Sequence, residues 1–347
     1  MISIGERMLG PEQPVYLIAE LSANHRQDIG IALDTIRAMA KAGADAIKLQ
    51  TYTADTLTLP YKTPPFLIGS GTAWDGAYLH DLYREAEMPW DWHAELMHEC
   101  KALGMDCFSS PFDPSAADLL NTLNVPAFKI ASFEITDIPL IEYVASFGKP
   151  MIISTGIAGL QDIEWAIDAC HRVGNKQIVL LKCTSAYPAA DSSMMLLQMQ
   201  DLQQRFGVPV GLSDHSEGVL APVVATAMGA VMIEKHVILD RSIGGPDAHF
   251  SLEPNEFATL VSQVRQTEAM MGKSEPSFPV QGKNSPFARS LFVAKDVKKG
   301  EVLSPENVRS IRPAQGLHPR FFPEILGRRF ANDVEGGTPL SLEHLQP

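Results

Sequence analysis

Between Val15 and about Gly272 the chain alternates short apolar runs with segments of helical periodicity. The runs are VYLIAEL (15–21), AIKLQ (46–50), MDCFSS (105–110), AFKIAS (127–132), PMIIST (150–155), IVLLKC (178–183), VPVGLS (208–213) and VMIEKHV (231–237). Each is nearly continuous rather than alternating, which predicts strands buried on both faces of a parallel sheet. Between them, IGIALDTIRAMAKAG places Ile31, Ile36, Met39 and Ala40 near one helical face, with Gly43 as a stop; Gly148 and Gly174 close later segments. Eight such units in about 250 residues predict a (β/α)8 TIM barrel, an α/β fold, rather than an open doubly wound sheet.

Two segments break the rhythm. Residues 51–90 are too long for a plain connection and follow the second strand on the side where barrel active sites form. This insertion is expected to cover the site. Residues 272–286 (GKSEPSFPVQGKNSP) read as a linker between a barrel domain, 1–271, and a small, mostly β domain, 287–347.

Composition narrows the partners. The 347 residues include 28 basic and 41 acidic ones, a net charge of −13, with no basic run. A field of that sign repels nucleic acid and anionic membranes, so neither is an expected partner. An anionic substrate would have to be caught by a local group of cations. The four cysteines show no CxxC or zinc-ligand spacing and read as reduced, buried thiols. MISIGERMLG lacks the build of a secretory signal, and no apolar window approaches a membrane span. A cytoplasmic protein is expected.

In a barrel the C-terminal strand ends share one mouth. Lys48, Lys129, Lys182 and Lys235 each interrupt an apolar run. A lone buried ammonium costs several kcal/mol, so each requires a carboxylate or an anionic ligand. Glu20, Glu134 and Glu234 are available as carboxylates. For Lys182 and Lys235 both readings stay open, whereas Lys48 and Lys129 are read as ligand contacts. Hydroxyls at the strand ends, among them Ser110, Ser132, Ser154, Ser185 and Ser213, add neutral donors. Lysines with hydroxyls predict a grip on a phosphorylated anion. His215 and His236 end neighbouring strands, about 4.8 Å apart. They read either as ligands of one metal with open positions for water and substrate, or as hydrogen-bonded loop residues. His25 is a candidate for polar positioning. Asp247 and His249 lie in DRSIGGPDAHF, a loop that either folds over the mouth or stands as a solvated turn.

In order along nearly the whole chain, IAELSANH, ADAIKLQTYT, FSSPF, FKIASFEI, ISTGIA, LLKCTSAYP, GLSDHS and IEKHVILDRSIGGPD resemble the motifs of the N-acetylneuraminate (sialic acid) synthase family. ARSLFVAKDVKKGEVLSPENVRSIRP resembles that family's C-terminal antifreeze-like (SAF) domain. KLQTYTADTLTL, the segment around AWDG and FKIASFE are most similar to the branch that makes pseudaminic acid.

The resemblance implies an enzyme that condenses phosphoenolpyruvate with an N-acetylated amino sugar and releases phosphate. In the pseudaminic branch the sugar is 2,4-diacetamido-2,4,6-trideoxy-L-altrose. A divalent cation is implied, Mn2+ or Mg2+ with Co2+ as a further option, held by His215 and His236. Phosphoenolpyruvate would be held by Lys48, Ser110, Lys129, Ser132, Ser154, Ser185 and Ser213. The sugar would be faced by Glu20, Gln50, Glu134, Tyr187 and Asp247. Arg312 matches the SAF-domain arginine that reaches the partner subunit's site in a domain-swapped homodimer. Ser185 departs from the pattern: the branch using N-acetylmannosamine has asparagine there. In the implied chemistry Glu134 handles the proton at the developing cation, with Glu20 as second choice, and Lys129 with Lys48 steadies the phosphate and carboxylate. Three rivals stand beside this reading: the same reaction on another sugar, a non-catalytic carbohydrate- or ice-binding protein, and a pyruvate-dependent metal aldolase. The last two leave the lysine–hydroxyl set without a purpose.

Overall fold

The computed structural model of the chain describes residues 1–69, 74–272 and 286–347. The chain divides into two compact units, Met1–Ser274 and Glu275–Pro347. Of the expected 272–286 linker, residues 273–285 lie outside the described residues.

The first unit opens with a hairpin, β1 (Ile2–Ile4) and β2 (Arg7–Leu9). Eight parallel strands follow: β3 (Tyr16–Glu20), β4 (Ala46–Thr51), β5 (Asp106–Pro111), β6 (Phe128–Ile130), β7 (Met151–Ser154), β8 (Ile178–Cys183), β9 (Val210–Asp214) and β10 (Met232–His236). They form a closed barrel, because β10 pairs with both β9 and β3 and sets His236 opposite Glu20. The predicted barrel is borne out, and every strand overlaps its predicted run. β6 is short because the chain turns after Ile130 into a single helical turn, Ser132–Glu134. Leu17, Ile47, Phe128, Ile152, Leu180, Leu212 and Ile233 are among the fully buried strand residues. Each such side chain contributes roughly 1.5–3 kcal/mol of burial.

Helix α1 (Ile29–Ala42) joins β3 to β4. Asp28 caps its first turn by accepting from the Gly30 amide, and Gly43 ends it at φ 94°, where a side chain would be strained. Its buried stripe is Ala32, Thr35, Ile36 and Met39, at i, i+3, i+4 and i+7. The expected Ile31 and Ala40 are only half-buried. Ile36 and Met39 are shared with the expected face, and small Ala32 and Thr35 complete it in place of Ile31 and Ala40.

The connection after β4 holds α2 (Ala54–Leu57), α3 (Leu79–Ala86) and α4 (His93–Ala102). Helices α5 (Pro114–Thr122), α6 (Ile138–Ala145), α7 (Leu160–Arg172), α8 (Gln198–Phe206), α9 (Leu220–Ala227) and α10 (Pro254–Met271) follow β5 to β10 in turn. At the N-terminal face the hairpin buries Ile4 and Leu9, and Arg7 pairs with Asp45 just before β4. Arg265 of α10 meets the same carboxylate at 3.0 Å, and the Tyr16 hydroxyl donates to Asp106 at 2.7 Å. Charge is thus tied down at the bottom of the barrel, and the top is left for chemistry.

The second unit pairs β11 (Ser290–Val293) antiparallel with β12 (Val308–Ile311), supplemented by isolated bridges such as Val297 to Val334 and Phe330 to Leu345. Its own core contains Leu291, Val293, Leu303, Val308, Phe330 and Leu340. Among the described residues, no helix is long and apolar enough to cross a membrane.

Candidate active site

The barrel mouth opens into a cavity of about 350 Å³. Its floor is set by strand parity. Residues two apart along a strand share a face, so Lys48 and Gln50 of β4, Lys129 of β6, Ser154 of β7, Ser213 of β9, and Glu234 and His236 of β10 all reach the cavity. Their neighbours do not. The expectation that all strand-end side chains meet in one mouth is therefore corrected: Ser109 turns outward to Thr51, and Lys182 and Lys235 lie outside the cavity lining.

That parity resolves the four lysines. Lys235 donates to Asp214 at 2.6 Å and to the Ser216 carbonyl, while Asp214 accepts from the Ser216 amide and hydroxyl. The pair holds the loop that carries His215. Lys182 donates to the Cys183 carbonyl at 2.6 Å and the Thr184 hydroxyl at 3.1 Å. Only Lys48 and Lys129 stand in the mouth. They share one carboxylate, with Glu234 Oε1 3.5 Å from Lys48 and 3.2 Å from Lys129. Glu20 forms an ion pair with Lys48, although neither of its oxygens accepts a well-directed hydrogen bond.

The charges follow from this arrangement. Burial opposes the ammonium of Lys48, but Glu20 and Glu234 outweigh it and hold the group above its ordinary value. For Lys129 burial prevails and the value falls. Burial also opposes ionisation of Glu234, yet Lys129 and Lys48 keep its carboxylate below the usual range. Burial pushes Glu20 up to about 7 despite the pull of Lys48, and Glu134 up to about 7 despite Lys129. Two ammoniums thus face one firmly ionised carboxylate and two carboxyls near their midpoint at neutral pH. Such a floor favours an added anion.

The hydroxyls surround the lysines. Ser110 accepts from Lys48 at 3.4 Å, Ser213 donates to Glu234 at 3.3 Å, and Ser154 is buried with no hydrogen-bond partner. Ser132 and Ser185 meet at 2.7 Å beside Gly156, where an added Cβ would lie 2.2 Å from Ser185 Oγ and 2.6 Å from Ser132 Oγ. Only glycine leaves both hydroxyls in place. Glu134 lines the cavity from the turn after β6, with Oε2 buried and unbonded.

His215 and His236 lie with ring centroids 5.2 Å apart. His215 Nδ1 is 3.0 Å from the Thr184 carbonyl, which fixes that nitrogen as the donor and leaves Nε2 as a ligand. His236 buries Nδ1 without a hydrogen-bond partner, 3.9 Å from Asp247. No group of three or more His, Cys, Asp and Glu among the described residues forms a metal cage. Two imidazoles with remaining positions for water and substrate oxygens fit a catalytic divalent cation.

Of the other expected residues, Tyr187 packs at a tilt on His215, ring centroids 4.3 Å apart, and lines the cavity. Gln50 donates to Ser22 at 3.0 Å, and Ser22 donates to Asp247, so the loop after β10 does fold over the mouth. Glu20, Ser110 and Ser185 lie beneath or beside the lining rather than in it. His25 packs on Trp92 instead of the cavity, and burial lowers its value to about 4. Arg312 is exposed in the second unit, directly after β12.

Sequence reading missed Cys183, whose thiol reaches the mouth next to outward Lys182, and the contact by which Ser22 holds Asp247. The insertion lines the cavity through Tyr52, Leu57, Ile68, Trp74, Leu79 and Leu82, as its position predicted.

A model of the NeuB family matches residues 35–276, and one of the SAF domain matches residues 288–346. The chain belongs to the NeuB family. The family read from the motifs is thereby borne out. Among NeuB-family relatives, the pseudaminic acid synthase of Helicobacter pylori is 46% identical over 336 residues, 96% of this chain and 98% of that protein. The N,N'-diacetyllegionaminic acid synthase of Legionella pneumophila is 35% identical, over 99% and 98% of the two chains. A crystal structure of N-acetylneuraminic acid synthetase from Leptospira borgpetersenii, in complex with citrate, superposes with a TM-score of 0.72 at 31% identity, covering 80% of this chain and 92% of that one.

Proposed function

We propose that this NeuB-family chain condenses phosphoenolpyruvate with 2,4-diacetamido-2,4,6-trideoxy-L-altrose and water, giving pseudaminic acid and phosphate. The observation that carries the reading is the pair of buried lysines, Lys48 and Lys129, sharing Glu234 under a ring of serines. That arrangement fits a compact polyanion with both a phosphate and a carboxylate.

Carbon 3 of phosphoenolpyruvate attacks the aldehyde carbon of the open-chain sugar, forming the C–C bond. Positive charge then develops at carbon 2, water adds there, and the tetrahedral intermediate expels phosphate by C–O cleavage. Lys48 and Lys129 follow the phosphate and carboxylate as their charge redistributes, while Ser132, Ser154, Ser185 and Ser213 donate to the oxygens. Glu134, poised near neutrality, takes the proton from the incoming water, with Glu20 as the second candidate. His215 and His236 would hold a divalent cation (Mn2+, Mg2+ or Co2+), which when bound supplies Lewis-acid polarisation of the aldehyde. Gln50, Tyr187 and Asp247 position the sugar. The proposal extends to a domain-swapped homodimer in which Arg312 serves the mouth of a second copy.

The same reaction on another sugar is the second reading, favoured by the 35% identity to the legionaminic acid enzyme, against 46% for the pseudaminic one. A phosphate-release assay with phosphoenolpyruvate and a panel of 2-acetamido and 2,4-diacetamido sugars separates the two. Substrate carrying oxygen-18 at the bridging position should yield labelled phosphate; label kept in the sugar acid overturns the C–O cleavage scheme. Absence of phosphate release with every sugar would leave the non-catalytic carbohydrate-binding reading standing.

A further inference from the structure

The cavity has two chemically distinct ends. Its floor is ionic, whereas the β4–α4 connection supplies a wall of aliphatic side chains. On α3, Leu79, Leu82, Tyr83 and Ala86 all line the cavity. Their spacing of i, i+3, i+4 and i+7 is one stripe of the helix. Leu57 and Ile68 join them from the same connection. An amphipathic helix ordinarily turns that stripe to the protein core. None of Leu57, Ile68, Leu79 and Leu82 belongs to the barrel's hydrophobic cluster or packs among its partly buried members. Their apolar surface is spent on the cavity. The wall is also anchored, since the Trp74 indole donates to the Pro246 carbonyl at 3.2 Å and ties the connection to the loop after β10.

We propose that this face of α3, with Leu57 and Ile68, selects the sugar by its end remote from the aldehyde, accepting a 6-deoxy methyl group with a neighbouring acetamido methyl. The inference rests on the reaction proposed above, in which the aldehyde end is held at the ionic floor. A sugar bound that way directs carbons 4 to 6 away from the lysines, toward the aliphatic wall. A methyl group loses water there at a gain. A hydroxymethyl group in its place loses water and meets carbon atoms, so its hydroxyl goes unpaired. One such change in an apolar pocket is worth roughly tenfold to 200-fold in kcat/KM.

The test compares three sugars with phosphoenolpyruvate: the 2,4-diacetamido-2,4,6-trideoxy compound, its 6-hydroxy counterpart, and N-acetylmannosamine. The wild-type enzyme should prefer the first over the second by roughly tenfold or more, with the KM for phosphoenolpyruvate unchanged. Leu82→Ser and Leu79→Ser should shrink that ratio at least severalfold, and Leu82→Met should retain it. A merely structural role would lower turnover of both sugars together and leave the ratio alone, which would overturn the proposal. Equal use of the two sugars by the wild type would overturn it as well. Leu57→Ser, on a separate element, and the wild-type ratio decide the matter if the α3 variants do not fold. Phosphate release from none of the three sugars overturns the reaction itself, and this inference with it; release that ignores carbon 6 overturns the inference alone.

Discussion

Replacing Glu134 by glutamine separates two effects of one buried carboxyl. In the folded protein burial raises it from 4.5 to about 7, with Oε2 enclosed and unbonded. The unfolded chain ionises near 4.5, so between there and 7 the folded state holds a proton that the unfolded state has released. Below 4.5 both states are protonated and the group is neutral to stability. Above 7 the folded state must carry a desolvated charge, and the penalty is complete. At about 1.36 kcal/mol per pH unit, that rise corresponds to about 3 kcal/mol at pH 8 and about 1 kcal/mol at pH 5. Glu134→Gln removes the ionisation and keeps the shape. It should therefore stabilise the protein by about 3 kcal/mol at pH 8 and much less at pH 5, read from denaturant midpoints at constant m-value. The same variant should lose roughly 10²- to 10⁴-fold in kcat if Glu134 handles the proton. A stability difference that is absent at pH 8, or the same at both pH values, would refute the argument from burial.

Four further outcomes are expected. Glu234→Gln leaves Lys48 and Lys129 without their shared counterion and should cost about 3–5 kcal/mol, read as a lowered Tm at pH 7. Because the folded value of Glu234 is depressed, its contribution is present above 4.5 and lost as pH falls through that lower value, so the gap to wild type should close in acid. His215→Ala and His236→Ala should each abolish Mn2+ binding by calorimetry while circular dichroism stays native; retained stoichiometric binding would rule out the pair as ligands. Gly156→Ala drives a methyl group against Ser132 and Ser185 and should raise the KM for phosphoenolpyruvate roughly tenfold to hundredfold, and an unchanged KM would remove both serines from the phosphate grip. Arg312→Ala should lower kcat/KM for the sugar with an unaltered barrel, and mixing it with a barrel-inactive variant should restore activity in heterodimers; failure to complement would count against the swapped homodimer.

The barrel was legible because its signal is local and repeated. Eight apolar runs separated by helical segments leave little freedom, since buried parallel strands require apolar side chains on both faces. Lys48, Lys129, His215 and His236 stood out for the opposite reason: a charge or imidazole inside such a run demands a partner. On α1 the sequence named Ile36 and Met39 correctly but missed Ala32 and Thr35, whose small or polar side chains carry little hydrophobic signal. Cys183 and Ser22 carry no signal of their own, since a thiol in an apolar run and a serine in a loop are ordinary.

From its sequence alone, then, the chain determines its strand count, its closure into a barrel, its small C-terminal strand-and-turn domain and its family, because these rest on periodicity and motif order. That Lys182 and Lys235 turn away from the mouth was decided only by the tertiary structure. Lys48 and Lys129 share Glu234, whereas Lys235 is taken by Asp214 and Lys182 by a carbonyl and a hydroxyl. The same holds for Glu20 and Glu134, whose values near 7 come from burial. The physical reason is common to all of them. A charge is set by what surrounds it in space, and those neighbours can lie far along the chain: from Lys48, Glu20 is 28 residues away and Glu234 is 186.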